Sequence, residues 1–310
     1  MSQDLDCDVL IIGGGCAGLT AAVYTARARL KTILLDKLQP GGQLATTDEV
    51  ENYPGFPEPI GGAELMDRFA QQAQRFECDI RSAQVQTILA DDPVVRVVRT
   101  DAGDLRCKAV IVASGADPKT LGVPGEDRLR GRGVSYCATC DGPFFRDKDI
   151  AVVGGGNTAV DEGMYLTRFA RSVTLIHRRD SLRAEKIYQE RAFKNDKMKF
   201  LWDSVCTEVV GQERVEGLKL KNLKTGEHSE LAVAGCFVLV GTKPNTEFLE
   251  GVCDLDDVGF VVVNNRKETS VPGIFAAGDC EDGLWRQAVT AAGYGCVAAL
   301  AAKHYIENLE

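Results

Sequence analysis

The feature that most constrains the fold is an internal repeat of a strand, a glycine-rich turn and a helix. Residues 8–18 read DVLIIGGGCAG, and residues 149–159 read DIAVVGGGNTA at a constant offset of 141 residues. Each helical stretch leads into a second apolar strand, over residues 32–35 and 173–176. Two in-phase units of this kind predict an α/β protein with two Rossmann-like dinucleotide-binding domains.

Both turns match the dinucleotide-binding pattern G-x-G-x-x-G/A. Its first glycine permits the tight turn, the second lets the backbone approach a pyrophosphate, and the third position keeps helix and strand close. The pyrophosphate then lies at the positive end of the helix dipole. A tight turn without a ligand remains the alternative for either copy. The pattern positions are Gly13, Gly15 and Gly18 in the first copy and Gly154, Gly156 and Ala159 in the second.

The two copies differ at the end of their second strand. The first copy has Asp36, which can accept hydrogen bonds from ribose hydroxyls, whereas the equivalent residue of the second copy is His177, followed by Arg178 and Arg179. A carboxylate would repel a 2′-phosphate, and this cationic cluster, with Arg183 close by, would bind one. The first site therefore suits FAD and the second suits NADPH. The alternative for the second is a solvated basic stretch at the start of a helix.

Composition excludes several classes of function. The chain has 310 residues, enough for two domains, and 36 basic against 45 acidic residues give a net charge of −9. An acidic chain without a basic run is a poor ligand for nucleic acid or an anionic membrane. The acidic residues 1–6 lack a signal-peptide pattern, and no apolar run is long enough to span a bilayer; residues 231–240, one of the longest, fit a buried strand better. We therefore expect a soluble, cytoplasmic protein.

The cysteines predict one redox pair and no metal site. Most of the 11 cysteines are scattered singly in apolar segments and are expected to be buried thiols in a reducing compartment. Zinc would need a second cysteine pair or nearby histidines, and the chain has only 3 histidines. Cys137 and Cys140, two residues apart at a predicted helix start, can close a small disulfide. The adjoining Asp141 can exchange the proton that dithiol chemistry needs. Two buried thiols or a structural disulfide remain the alternatives.

These motifs together closely resemble low-molecular-weight thioredoxin reductases of the bacterial type. The resemblance extends in order through GGQL at residues 41–44, ENYPG at 51–55, CATCD at 137–141, HRR at 177–179, GTKPN at 241–245, GD at 278–279 and RQA at 286–288. It implies a homodimeric, FAD-containing enzyme that reduces the disulfide of thioredoxin with NADPH.

The resemblance also assigns roles to individual residues. Cys140 would be the thiol next to the flavin, Cys137 would attack the protein disulfide, and Asp141 would be the acid/base. Gly115 and Gly241 are further cofactor-binding candidates beside two turn-rich hinges. The FAD residues would be Gly13, Gly15, Ala17, Gly18, Asp36, Gly42, Gln43, Leu44, Asn52, Asp279, Arg286, Gln287 and Ala288. The NADPH residues would be Gly154, Gly156, Asn157, Thr158, His177, Arg178, Arg179 and Arg183.

The same resemblance divides the chain into domains. A late Gly-Asp pair places a carboxylate at the flavin in such proteins, which returns the C-terminal segment to the first domain. Residues 1–116 and 247–310 would form the FAD domain, and residues 117–246 would form an inserted NADPH domain that carries the cysteine pair. Two alternatives remain open: a related flavin disulfide reductase with another dithiol partner or with ferredoxin as donor, and a non-catalytic nucleotide-binding redox sensor.

Overall fold

In the computed structural model, which describes residues 5–47 and 49–309, the chain divides into two units. One consists of Met1–Asp117 and Lys243–Glu310, and the other is Pro118–Thr242. The divisions follow residues 117 and 242, against predicted boundaries after residues 116 and 246. Of the acidic segment 1–6, residues 1–4 lie outside the described part.

The strands of the described residues are short. They are β1 (Val9–Ile12), β2 (Thr32–Asp36), β3 (Asp79–Ser82), β4 (Val85–Leu89), β5 (Arg96–Thr100), β6 (Gly103–Cys107), β7 (Ala109–Val112), β8 (Ala116–Pro118), β9 (Val134–Ser135), β10 (Asp149–Val153), β11 (Ser172–Ile176), β12 (Met198–Leu201), β13 (Ser204–Val210), β14 (Gly217–Asn222), β15 (His228–Ala232), β16 (Gly235–Val238), β17 (Thr242–Pro244) and β18 (Ile274–Ala276). The α-helices are α1 (Cys16–Arg27), α2 (Gly62–Arg75), α3 (Ala138–Asp141), α4 (Asn157–Leu166), α5 (Lys186–Phe193) and α6 (Ala288–Glu307).

The first unit is built on a five-stranded parallel sheet in the order β18-β7-β1-β2-β3. Strands β1 and β7 are buried along their whole length, as expected for parallel strands covered on both faces. Helices α1 and α6 pack closely: a Cβ at Gly295 would lie 2.1 Å from the carbonyl oxygen of Ala17. A three-stranded antiparallel sheet, β4-β5-β6, completes this unit.

The second unit repeats this architecture. Its five-stranded parallel sheet has the order β12-β11-β10-β16-β9 and is accompanied by the antiparallel sheet β13-β14-β15. Val9 pairs with Thr32 in the first unit, and Ile150 pairs with Val173 in the second, each 141 residues further along. Both units thus have the parallel sheet and the strand–helix–strand order of a Rossmann domain, as the repeat predicts, and the second is inserted into the first.

One sequence-based element boundary is wrong. Residues 231–240 were expected to form one buried strand, but the antiparallel strand β15 continues to Ala232 and the buried strand β16 begins at Gly235. The chain changes sheets there, with the Ala234 N–H donating to the Asp149 carbonyl at 2.9 Å. The last helix begins at Ala288, two residues after Arg286, whose φ of 49° is incompatible with a helix.

Candidate functional site

The first glycine-rich turn, between β1 and α1, has one closed side and one open side. Gly13 has a φ of 105°, and a Cβ there would lie 2.3 Å from the Ala113 carbonyl oxygen. A Cβ at Gly18 would lie 1.8 Å from the Gly13 carbonyl oxygen. Helix α1 can therefore approach the turn this closely only because residue 18 has no side chain. At Gly15 a Cβ would meet nothing within 4 Å. The open side is therefore where a ligand can contact the backbone.

Asp36, the last residue of β2, lies directly against this turn. Its Oδ2 accepts the N–H of Gly14 at 2.7 Å, and its Oδ1 accepts the N–H of Leu38 at 3.0 Å. Both carboxylate oxygens are therefore fixed by backbone donors. Each carboxylate oxygen can accept more than one hydrogen bond, so a ribose hydroxyl can still be bound.

The GGQL segment follows beside the same turn. A Cβ at Gly42 would lie 3.3 Å from the Cα of Gly15, so the two backbones are in contact. Gln43 donates from Nε2 to Oδ1 of Asp117 at 2.5 Å, and the side chain of Leu44 packs against the core under α1 and α2. Of these three predicted FAD residues, Gly42 therefore lies next to Gly15, whereas the side chain of Leu44 packs into the core.

The segment after β18 brings a carboxylate to the start of α1. A Cβ at Gly278 would lie 2.9 Å from the Cβ of Ala17, so the chain passes close to α1 just before Asp279. Burial raises the pKa of Asp279 to about 6, and the nearby carboxylate of Asp282 adds to the rise. The predicted residues Ala17 and Asp279 therefore belong to one site.

Asn52 and Gln287, far apart in sequence, are neighbours. The Asn52 Nδ2 donates to the Gln287 Oε1 at 3.4 Å, and Gln287 is the residue that caps α6, ahead of Ala288. Arg286 precedes it in a left-handed backbone conformation. The hydrogen bond therefore brings two predicted FAD residues together, next to Arg286 and Ala288 in the chain.

The first unit fits a flavin nucleotide on two independent observations. Among the described residues, the Oγ of Ser114 and the Oδ2 of Asp282 are buried without a hydrogen-bond partner, although Asp282 Oδ1 accepts the N–H groups of Leu284 and Trp285. A Cβ at Gly115 would meet nothing within 4 Å, as at Gly15. Unpartnered polar atoms beside open backbone are what a polar ligand would satisfy.

The second glycine-rich turn has the same closed and open sides. A Cβ at Gly154 would lie 2.5 Å from both the Leu239 carbonyl oxygen and the Cβ of Ala159, which is fully buried at the third pattern position. At Gly156 a Cβ would meet nothing within 4 Å. The exposed Thr158 lies in the first turn of α4, next to this open side.

His177 follows β11 and corresponds to Asp36, but it is buried. Only 5% of the residue is exposed, and a Cβ at Gly155 would lie 2.2 Å from its Nδ1. Burial lowers the pKa of His177 below its usual 6.5, and the charges of Arg183, Arg179 and Arg178 lower it further. The neutral imidazole is therefore favoured at pH 7, so the arginines carry the charge of the predicted cationic cluster. Within the described chain its Nε2 has no hydrogen-bond partner.

The positive charge of the second site comes from three arginines. Arg178, Arg179 and Arg183 are exposed, and none of them forms an ion pair within residues 5–47 and 49–309. The backbone N–H of Arg183 donates to the Gly155 carbonyl at 2.8 Å, which attaches its segment to the turn. Gly241 lies at the end of this unit, where its carbonyl accepts the Lys119 N–H at 2.9 Å.

Cys137 and Cys140 form a disulfide at the start of α3 in the second unit. Cys137 is the capping residue, and its Sγ accepts the backbone N–H of Cys140 at 3.2 Å. Asp141 ends the short helix, and its N–H donates to the Cys137 carbonyl at 3.2 Å. A sulfur that accepts a backbone N–H is stabilised as a thiolate once the disulfide is reduced.

Two residues that sequence reasoning missed support this pair. The Oγ of Ser135 accepts the Cys137 N–H at 3.1 Å and donates to its carbonyl at 3.2 Å. Glu162, on α4, accepts the Ala138 N–H at 3.1 Å. A serine two residues before a cysteine is a weak local signal, and Glu162 is 24 residues from its partner, so no spacing rule identifies it.

Among residues 5–47 and 49–309, no group of three or more histidine, cysteine, aspartate or glutamate side chains could hold a metal ion. No helix in the same residues is long and apolar enough to cross a membrane.

Comparison with known proteins gives concordant matches over nearly the full chain. Residues 7–295 match the family model described as pyridine nucleotide-disulphide oxidoreductase. The chain is 52% identical over 300 residues to a thioredoxin reductase of Mycolicibacterium smegmatis, covering 96% of each protein. It is 48% identical to a bifunctional thioredoxin reductase/thioredoxin of Mycobacterium leprae, covering 96% of this chain and 66% of that protein. The crystal structure of thioredoxin reductase from Streptococcus pyogenes superimposes with a TM-score of 0.94 at 44% identity, covering 97% of this chain and 98% of that one.

Proposed function

Because the chain belongs to the pyridine nucleotide-disulphide oxidoreductases and, within them, to the thioredoxin reductases, we propose that it reduces the disulfide of thioredoxin with NADPH. The cofactors are FAD and NADPH. The observation that carries the proposal is the Cys137–Cys140 disulfide, held in the same compact unit as a glycine-rich turn flanked by three exposed arginines.

The two turns take different cofactors in this proposal. The open side at Gly15, with Asp36, Asp279 and the unpartnered Ser114 Oγ, would hold FAD. The open side at Gly156, with the arginines beyond β11, would hold NADPH. When bound, FAD supplies the chemistry that couples a two-electron hydride donor to a disulfide.

The cysteines then transfer the electrons to the protein substrate. The Cys137 thiolate attacks one sulfur of the thioredoxin disulfide, and the other thioredoxin sulfur leaves as a thiolate. The Cys140 thiolate next attacks Cys137 in the mixed disulfide, which releases reduced thioredoxin and re-forms the Cys137–Cys140 bond. The Cys140 N–H favours the thiolate at Cys137, and Asp141 would exchange the proton with the departing sulfur.

The test is NADPH consumption by the purified flavoprotein with oxidised bacterial thioredoxin. We expect sustained turnover with thioredoxin, little with a small aromatic disulfide, and none with thioredoxin in the Cys137→Ser variant. A wild-type protein whose flavin is reduced by NADPH, but which passes no electrons to thioredoxin, would overturn the proposal. That result would instead favour another dithiol partner or a redox sensor.

A homodimer is the assembly we propose. Helix α6 exposes Val289, Val297 and Leu300 at helical spacing, with 45%, 37% and 53% of each residue accessible. Tyr24 of α1, which is 39% exposed and interacts with Cys296 of α6, borders them. An apolar stripe of this kind is typical of a protein interface. Light scattering during size-exclusion chromatography should give twice the chain mass, and Leu300→Glu should shift it towards the monomer.

We also propose a cytoplasmic location. The nine cysteines outside the redox pair are free thiols in the described chain, and seven of them are buried. Free thiols in this number are typical of a reducing compartment. Fractionation of the source cells, with antibody detection, tests this proposal; recovery in an extracytoplasmic fraction would contradict it.

A further inference from the structure

A reciprocal hydrogen-bonded pair joins the start of α4 to the start of α5. Asn157 is the first residue of α4, and Glu185 is the residue that caps α5. The Asn157 Oδ1 accepts the backbone N–H of Glu185 at 2.8 Å, and the Asn157 Nδ2 donates to the Glu185 Oε1 at 3.1 Å. Both polar atoms of the Asn157 amide are therefore bonded to one residue, 28 positions away.

The Asn157–Glu185 pair lies at the end of residues 182–185, a segment that backbone hydrogen bonds already attach to the second glycine-rich turn. The carbonyl of Gly155 accepts the N–H groups of Arg183 and Ala184, at 2.8 and 3.2 Å. Leu182 and Ala184 are buried in the core of the second unit, with 7% and 5% exposed, whereas Arg183 between them is exposed. The backbone on both sides of Arg183 is therefore fixed, and its side chain is directed away from the core at the turn.

Among the described residues, the first turn has no equivalent pair. The residue that corresponds to Asn157 is Cys16, a buried thiol whose Sγ lies 3.6 Å from the Sδ of Met66. The Asn157–Glu185 pair is therefore one of the features in which the second turn differs from the first. The open side at Gly156, next to Asn157, is the side available to a nucleotide.

We infer that Glu185 is a positioning residue that, through Asn157, holds Arg183 beside the second turn and so sets the preference for a dinucleotide with a 2′-phosphate. The inference rests on the proposed binding of NADPH at this turn. Glu185 is itself an anion near a site for anions, and its charge opposes phosphate binding. Its contribution must therefore come from the hydrogen bond, which a neutral amide can also accept.

Two variants of Glu185 separate the hydrogen bond from the charge. Glu185→Gln keeps an oxygen that can accept from Asn157 Nδ2, and Glu185→Ala does not. Because both variants lack the charge, their comparison isolates the hydrogen bond. The readout is calorimetric binding of adenosine 2′,5′-bisphosphate and of adenosine 5′-monophosphate to the purified flavoprotein, which needs no turnover. Bound flavin and the melting temperature confirm that each variant is folded.

We expect Glu185→Ala to bind the bisphosphate about fivefold more weakly than Glu185→Gln does, the factor that corresponds to ~1 kcal/mol for one hydrogen bond. Binding of the monophosphate should differ less than about twofold, because it lacks the phosphate that Arg183 is proposed to contact. Equal bisphosphate affinity in the two variants, or equal loss with both ligands, would overturn the inference.

A double-mutant cycle tests whether Glu185 acts through Arg183. In an Arg183→Ala background the difference between Glu185→Ala and Glu185→Gln should disappear, because the side chain to be positioned is absent. A persistent fivefold difference would overturn the inference and leave the NADPH assignment intact. If the wild-type protein did not prefer the bisphosphate at all, both the inference and the proposed NADPH site would be wrong.

Discussion

The two glycine-rich turns are copies of one structure with different surroundings. In both, the second pattern glycine, Gly15 or Gly156, leaves open space above the backbone. In both, the residue at the end of the second strand contacts the middle glycine of the turn: Asp36 through a hydrogen bond and His177 through its ring. The strand–turn–helix unit thus provides the same place for a pyrophosphate twice.

What differs is the charge that the following segment brings to the turn. Asp36 keeps a carboxylate at the first turn, whereas His177 is buried and neutral and the exposed charges beyond it are arginines. Ribose hydroxyls suit the first arrangement and a 2′-phosphate suits the second. We therefore propose that the fold defines each site and that the residues after the second strand choose the nucleotide.

The largest expected effect concerns the Cys137–Cys140 disulfide, which lies in the second unit. Replacing the proposed flavin-proximal thiol by Cys140→Ser should lower thioredoxin turnover at least about a thousandfold, a loss of ~4 kcal/mol in transition-state stabilisation. Flavin reduction by NADPH, monitored in a rapid-mixing experiment, should persist because the nucleotide sites are unchanged.

Cys253→Ser is a matched control, since this half-buried thiol lies in the first unit, outside the redox pair. It should retain normal turnover. If Cys140→Ser kept more than about a tenth of wild-type thioredoxin reduction, a loss of only ~1.4 kcal/mol, Cys140 would not carry the electrons.

An alanine substitution at the third pattern position should affect the protein differently from one at the second. Gly18→Ala places a Cβ 1.8 Å from the Gly13 carbonyl oxygen and should cost about 1–3 kcal/mol in unfolding free energy, since α1 must move. Gly15→Ala meets nothing within 4 Å, so it should melt near the wild-type temperature and mainly weaken FAD binding. Thermal unfolding and flavin content measure the two effects.

The second turn has alanine at the third pattern position, and the Cβ of Ala159 is part of the buried core of the second unit. Ala159→Gly should therefore cost about 1 kcal/mol in unfolding free energy, because it removes a buried methyl group and a helix-favouring residue. Equal destabilisation by Gly18→Ala and Gly15→Ala would contradict the assignment of closed and open sides.

Asp279 should make the first unit more stable in acid. Its pKa of about 6 lies above the usual 3.8, so the folded state favours the protonated form; this stabilisation is full below 3.8 and is lost as the pH rises through 6. Asp279→Asn, which is always neutral, should be more stable than the flavin-free wild type above pH 6, by at most about 3 kcal/mol. Denaturant titrations that give equal stabilities at high pH would contradict the burial of this carboxylate.

His177 should have a smaller effect of the opposite sign in the second unit. Its pKa in the folded state is below 6.5, so its contribution is full above that pH and is lost as the pH falls through the folded-state value. The melting temperature of His177→Asn should therefore fall less than that of the wild type when the pH is lowered from about 7 to about 5. A variant with the same acid sensitivity as the wild type would show that His177 does not titrate in this range.

The sequence predicted much of this arrangement because its signals are local. The repeat, the glycine positions and the contrast between Asp36 and His177 all follow from spacing along the chain. The burial of His177, which lowers its pKa, could not be predicted, because it depends on the elements that pack it against Gly155. The Asn157–Glu185 pair joins residues of the second unit that no periodicity relates.

The central claim, that the residues after the second strand choose the nucleotide, is tested most directly by flavin reduction with NADPH and NADH. Wild-type protein should be reduced much faster by NADPH. In Arg178→Ala/Arg179→Ala, which lacks two charge-assisted contacts to a 2′-phosphate, the apparent affinity for NADPH should fall by about a hundredfold or more. The affinity for NADH should change little, because NADH has no 2′-phosphate. An equal loss with both nucleotides would contradict the account.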